Sequence, residues 1–320
     1  MRLLQGLPGL RHLPPGAVLS IGNFDGIHLG HQHILSLARR LAAGAELAVA
    51  TFEPHPFTVL RPDKVPPRLT PPPVKRELLE RAGVNVLVEL APTRDVLDLT
   101  AEQFWHILRD EVRPSHMVEG SSFTFGKGRG GTIDTLRTWA AESAVRLHVV
   151  DPVTVPLLDL HVVSVSSSLI RWLVHHGRVR DAAICLARPY VLQGHVIHGA
   201  HRGRGLGTPT ANLHCTEQLI PADGVYAGRC AVVDGATYPA AVSIGTNPTF
   251  GEHARQVEAH LIGFQGNLYD RELAVELLDW EREQWKFHSV DELKSQITRD
   301  LQWTVRRARA DQTQWIEIDG

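Results

Sequence analysis

The feature that most constrains this chain is a change of rhythm past its midpoint. Between residues 17 and 187, short apolar runs alternate with stretches of helical spacing. Strand-like runs fall at 17–21, 46–52, 84–90, 116–119 and 145–150, with helical patterns at 29–41, 74–82, 100–111 and 132–141. Parallel neighbours need a crossover between them, so this alternation predicts an α/β domain with a parallel sheet covered by helices. After Arg188 the runs become "YVLQGHVIHG", "GVYAGRCAVV", "TYPAAVSIG", "QVEAHLIGF" and "RELAVELLDW", separated by Gly, Pro, Asn and Asp. Regular short strands of this kind predict a small antiparallel β-barrel. An amphipathic helix over 289–308 follows it, opened by the capping sequence Ser289-Val290-Asp291-Glu292. The expected boundary lies at 185–190, giving domains 1–186 and 187–320. The Pro-rich stretch 60–73 is expected to be a surface loop beside a ligand crevice, or a plain linker.

Composition excludes several classes. The net charge is −2, from 33 basic and 35 acidic residues, which gives no electrostatic footprint for nucleic acid. No apolar run is long enough to span a bilayer, and the start of the chain lacks the pattern of a secretory signal. Cys185, Cys215 and Cys230 are scattered, without a C-x-x-C pair, and read as reduced packing residues. A cytoplasmic protein without membrane or nucleic-acid partners is expected, as a monomer or weak homo-oligomer.

Several stretches carry residues suited to chemistry. "SIGNFDGIHLGHQHIL" puts His28, His31 and His33 where a strand turns into a helix, after the turn formers Gly22, Asn23, Asp25 and Gly26. Free N–H groups and the positive end of a helix dipole meet there, a setting that suits phosphate. Spacing alone leaves phosphate contact, surface histidines and a metal site open, although zinc finds no third ligand nearby. "SVSSSLIRWLVHHG" sets hydroxyls and Arg171 at a helix start, which suits a triphosphate or is a serine cap beside an exposed arginine. "EGSSFTFGKGRGG" is a Gly-rich loop with Lys127 and Arg129, matching neither a Walker A nor a dinucleotide fingerprint. "TFEPHPF" ends a strand on the crevice side, where its Phe and His either line a ring-shaped ligand or make a turn.

In the second half, "HRGRGLGTPTANL" combines glycines with Thr208, Thr210 and Asn212. Glycine lets backbone approach phosphate closely, and Thr and Asn oxygens suit Mg²⁺. Thr210 and Asn212 would share one face of a strand. Glu258, between Val257 and Ala259, is either a base for a hydroxyl or the polar side of a two-faced strand.

Taken in order, "GNFDGIHLGH", "TFEPHP", "GSSFTFGKGRGG", "SSSLIR", "GRGLGTPTANL", "PADGVYAG", "SIGTNPTFG", "VEAHL" and "REQWKFHSVDELKSQI" resemble the bifunctional bacterial riboflavin kinase/FAD synthetase family over essentially the full chain. The resemblance implies an N-terminal nucleotidyltransferase-type domain joining FMN to ATP, and a C-terminal riboflavin-kinase barrel making the FMN. It implies that His28 and His31 contact ATP phosphates, that Gly30 leaves room for the nucleotide, and that Asn23 and Asp25 shape the turn. Ser166, Ser167, Ser168 and Arg171 would hold phosphates from the other side, and His33 would be a surface residue. In the kinase, it places Thr210 and Asn212 at Mg²⁺ and ATP, Glu258 as base for the riboflavin 5′-hydroxyl, and Gly205, Asn247 and Arg282 as ligand contacts. The implied partners are riboflavin, FMN and ATP as co-substrate, with Mg²⁺ as cofactor.

Three positions depart from the family pattern. Ser122 stands where a carboxylate or amide is usual, Leu169 where a basic residue is common, and Thr208 where an aromatic precedes Pro-Thr-Ala-Asn. The first two raise one rival, a kinase whose N-terminal domain is a non-catalytic regulatory or interaction module. A second rival, a nonenzymatic flavin binder, is opposed by Thr210, Asn212 and Glu258.

Overall fold

The structure is a computed structural model that describes residues 1–198, 208–232, 235–246 and 255–310. Two compact units emerge, one from Met1–Pro66 with Pro72–Thr154, the other from Pro67–Pro71 with the residues from Val155 onward.

The first unit carries strands β1 (Arg2–Gln5), β2 (Val18–Ile21), β3 (Leu47–Phe52), β4 (Val86–Leu90) and β5 (His116–Gly120). A small ribbon, β6 (Thr124–Phe125) with β7 (Gly131–Thr132), precedes β8 (Arg146–Val150). The helices are α1 (Gly6–Arg11), α2 (Leu29–Ala42), α3 (Phe57–Leu60), α4 (Pro72–Arg81), α5 (Arg94–Leu97), α6 (Ala101–His106) and α7 (Ile133–Ala141). The six-stranded sheet runs β1-β4-β3-β2-β5-β8, and every pairing in it is parallel. The sequences "VLSI" and "VLVEL" are buried along their whole length, because a parallel sheet packs on both faces. One face packs Leu19, Ala48, Val88, Met117 and Trp105; the other packs Val18, Val49, Leu87 and Val118 with Leu35 and Ala38 of α2. Burying one such Leu or Val side chain contributes about 1.5–3 kcal/mol.

Strand order reverses direction at β2, whose neighbours are β3 and β5. Such a reversal opens a crevice at the carboxyl ends of the strands. The β2–β5 pairing covers only Val18↔His116 and Leu19↔Met117, so the two strands part beyond that point.

The second unit contains the helices α8 (Ser167–His175) and α9 (Val179–Leu186). A short hairpin, β9 (Thr154–Pro156) with β10 (Val162–Ser164), precedes them. Next come β11 (Tyr190–Ile197), β12 (Ala211–His214), β13 (Gly224–Ala231), β14 (Thr237–Gly245), β15 (Gln256–Leu261) and β16 (Glu272–Arg282). They close as β11-β12-β15-β14-β13-β16 through antiparallel ladders. Ala211, Leu213, Val242, Ile244, Val257 and Ala259 alternate with half-buried polar neighbours and form the buried side of the wall. Helix α10 (Val290–Ala310) begins as its sequence predicts: Ser289 Oγ accepts the Glu292 N–H at 3.1 Å, and the Glu292 carboxylate accepts the His288 N–H at 3.0 Å.

The expected α/β domain and the barrel with its closing helix are both present. The stretch 60–73 is largely irregular and exposed over 60–65, as a surface loop is, with anchoring points inside it. Pro62–Lys64 forms a 3₁₀ turn, Arg68 bridges Gln218, and Leu69 and Thr70 are buried. Apolar Leu69 seats the chain there, and the Gln218 amide donates to its carbonyl at 3.3 Å.

Candidate active sites

At the end of β2 the chain enters a bent turn. Phe24 (φ 45°), Gly26 (φ 88°) and Ile27 (φ 41°) all take left-handed backbone. For a bulky residue that conformation costs roughly 1–2 kcal/mol. Burial supplies the compensation, since Phe24 and Ile27 are each 2% exposed in the core beneath α2. The turn delivers His28 as N-cap of α2, with its Nδ1 accepting the His31 N–H at a long 3.4 Å. The His28 and His31 rings stack with centroids 3.7 Å apart, and the Phe24 ring lies 4.9 Å from that of His31. Gly30 is the second residue of the helix, and His33 is exposed on its surface.

Asp25 is buried inside the turn. Asn23 is exposed, and its carbonyl accepts the Thr51 hydroxyl at 3.1 Å. His55 of "TFEPHPF" makes the local turn by accepting the Phe57 N–H on Nδ1 at 3.1 Å, and its Nε2 lies 3.4 Å from the Asn23 amide. At the end of β5, Glu119 is buried and accepts the Ile21 N–H at 2.9 Å. Burial pushes its carboxyl well above the usual carboxylate range, against the pull of that N–H. The sequence reading missed Glu119, although one signal was present: an acid inside an otherwise apolar strand.

Ser166 is the N-cap of α8, with Oγ accepting the Leu169 N–H at 3.2 Å. Ser167 and Ser168 occupy the first turn, and the Arg171 guanidinium donates from Nε to the Pro67 carbonyl at 2.9 Å. These four residues belong to the second unit, whereas Asn23, Asp25, His28, Gly30 and His31 belong to the first.

In the barrel, Glu258 on β15 stands directly opposite Asn212 on β12 and Ser243 on β14. Directly opposed residues share a face, so an amide, a carboxylate and a hydroxyl form one row across three strands. All three are half-buried, on the side of the wall away from the apolar filling. Thr210 lies just before β12 and helps line a cavity of about 250 Å³ with Pro209, Phe264, Leu268 and Tyr269. His260, two residues after Glu258, has Nδ1 2.7 Å from the carbonyl of Pro209, the residue before Thr210.

Arg282 is gripped by Asp300 of α10, at 3.2 Å from Nε and 2.6 Å from Nη2, and its guanidinium stacks 4.7 Å over the Trp285 ring. Gln284, in the same segment, donates to Ser243 Oγ at 3.1 Å. Gly205 and Asn247 lie outside the described residues. Burial pushes the Cys185, Cys215 and Cys230 thiols up to about 11, as expected for packing residues rather than nucleophiles.

A helix start prepared for anions at a sheet's switch point, and a barrel wall presenting a carboxylate beside hard oxygen donors, are what a transferase acting on nucleotide phosphates at two places requires. Residues 10–167 match the FAD synthetase family model, and residues 186–307 match that of riboflavin kinase. The bifunctional riboflavin kinase/FMN adenylyltransferase of Pseudomonas fluorescens is 34% identical over 307 residues, covering 94% of this chain and 96% of that protein. That of Bacillus subtilis is 35% identical over 297 residues, covering 91% and 92%. A Streptococcus pneumoniae crystal structure described as a macrolide-efflux protein superposes with TM-score 0.84 at 29% identity, covering 95% of this chain and 99% of that one. Among the described residues, no helix of this chain is long and apolar enough to cross a membrane. The chain belongs to the bifunctional riboflavin kinase/FMN adenylyltransferase family.

Proposed function

We propose that the chain makes FAD in two ATP-dependent steps, with the work divided at residues 186/187. The family's activities are phosphorylation of riboflavin to FMN, then transfer of an adenylyl group from ATP to FMN with release of pyrophosphate.

In the kinase step the Glu258 carboxylate takes the proton of the riboflavin 5′-hydroxyl as the hydroxyl oxygen attacks the γ-phosphorus of ATP and ADP leaves. Thr210 and Asn212 offer a hydroxyl and an amide oxygen, donors that fit Mg²⁺, and these two residues would hold it. When bound, the ion neutralises phosphate charge. Gly205 permits backbone approach to the nucleotide, and Asn247 and Arg282 contact the flavin. Asp300 holds Arg282 from behind, which fixes the guanidinium before ligand arrives.

In the adenylyl step two anions must be aligned and the charge on the α-phosphate stabilised; little covalent chemistry is asked of the protein. His28 and His31 meet the ATP phosphates at the start of α2, while Gly30 keeps the approach open. Asn23 and Asp25 shape the turn. Ser166, Ser167, Ser168 and Arg171 take phosphate contacts at the start of α8.

The observation that carries the adenylyl reading is the bent turn itself. Two bulky residues held in left-handed backbone mark a place where geometry is maintained against local preference, and they bring His28 to a helix start. The test is to incubate the full chain with riboflavin, ATP and Mg²⁺, and to follow FMN and FAD by chromatography. FMN first and FAD second is the expected course. FMN without FAD would make the N-terminal domain a non-catalytic module, and unchanged rates after Mg²⁺ removal would release Thr210 and Asn212 from their role.

A further inference from the structure

Glu119 lies beside the bent turn and has no part in the steps above. Its strand reads "HMVEG", with Met117 packing one face of the sheet and Val118 the other. A carboxyl at 2% exposure in such a strand is costly unless it is hydrogen-bonded. Its position explains the bond that it makes. Along β2, the Val18 N–H donates to Glu46 and the Gly22 N–H to Ala50, so even-numbered N–H groups point toward β3. The Ile21 N–H points the other way, toward β5, where regular pairing has already ended at Leu19↔Met117. The Glu119 side chain supplies the oxygen that main-chain pairing no longer provides there. The last residue of β2 is thus tied on one side by β3 and on the other by Glu119.

We infer that Glu119 is a positioning residue for adenylyl transfer: by spanning the opening between β5 and β2, it fixes the direction in which the chain leaves β2 and hence the placement of Asn23, Asp25 and His28. The inference rests on the reading of residues 23–31 as the adenylyl site. Burial disfavours the charged form of the carboxyl, and glutamine copies the side chain in shape while keeping an acceptor oxygen. Leucine has a similar volume and offers the Ile21 N–H nothing.

The experiment measures FAD formation from supplied FMN and ATP, together with kinase rate and thermal melting, for Glu119→Leu, Glu119→Gln and His28→Ala. Glu119→Leu is expected to lower kcat for FAD formation by about 10–100-fold, the scale of a small displacement of aligned groups. The kinase rate stays unchanged, and Glu119→Gln restores most of the lost rate. If Glu119→Leu does not fold, Glu119→Thr, whose shorter side chain cannot span the opening, is held to the same criterion. A wild-type kcat in the acceptor-less variant overturns the inference, as does equal damage in the Gln variant or a loss that only tracks the unfolded fraction. Full FAD formation by His28→Ala sinks the reading of the site itself. Loss there, with Glu119→Leu unaffected, sinks only the role of Glu119.

Discussion

The 23–31 part of the adenylyl site and the Glu258 row of the kinase site are assembled in opposite ways. Asn23, Asp25, His28, Gly30 and His31 come from one continuous stretch between β2 and α2. Asn212, Ser243 and Glu258 come from three different strands and meet only through antiparallel register. The first arrangement stores its geometry in backbone conformation, with Phe24 and Ile27 bent against their preference and fastened in the core. The second stores it in strand pairing, where a slip of one residue would turn every side chain to the other face. A continuous site is thus exposed to local changes of the turn, and a distributed one to changes of register.

That contrast can be broken most sharply at Glu258. Glu258→Gln keeps the register and the volume and removes only the base. FMN formation should fall by about 10²–10⁴-fold, with FAD formation from supplied FMN retained. An unchanged kinase rate would return Glu258 to the polar side of an ordinary strand.

On the continuous site, His28→Ala or His31→Ala should give the mirror image, with FMN accumulating while FAD formation drops by about 10²–10³-fold. Normal FAD formation in both variants would remove the imidazoles from the mechanism.

A smaller effect is expected where the chain departs from its family. Ser122 is exposed just past the end of β5 and has one hydroxyl where two polar atoms are usual. Ser122→Asp should tighten apparent ATP or FMN affinity by about 1–2 kcal/mol, the scale of one hydrogen bond to a charged or polar partner, with no change in the kinase. Equal or poorer affinity would show that the pocket is fitted to serine.

The smallest effect concerns stability. His116 Nδ1 lies 2.8 Å from His148 Nε2 across β5 and β8, close enough for one shared proton but unfavourable for two charges. Burial first, then the charges of His148 and Arg146, hold the His116 pKa below its ordinary value. The unfolded chain therefore binds the proton more readily. The contribution is present above about pH 6.5, the ordinary histidine value, and is lost as pH falls through the lowered folded value. Denaturant unfolding of His116→Gln between pH 5 and pH 7 should show a flatter slope, about one proton's worth at most. An identical slope would clear the pair of any role.

The same contrast explains what the sequence made legible. The placement of His28, Gly30 and His31 between a strand and a helix was readable because every determinant is local: apolar run, turn formers, helical spacing. The barrel and the Ser289 cap were readable for the same reason. The bend at Phe24 and Ile27 was not, because neither residue prefers left-handed backbone and only the core beneath α2 imposes it. Glu119 meets Ile21 across 98 residues, and Arg282 meets Asp300 only after a whole helix has docked. Leu69 and Thr70 were hidden by the prolines around them, since composition signals a loop while burial is decided by neighbours distant in sequence.

The bent turn has one more consequence, for descent rather than mechanism. Its two strained residues are pieces of the hydrophobic core, so the bend persists for as long as the sheet and α2 persist, whatever happens to the imidazoles beside it. A descendant that lost adenylyl transfer through substitution of His28 would inherit the bend intact. Among its descendants, then, the shape of this turn would be a record of the fold, and only the side chains mounted on it a record of the chemistry.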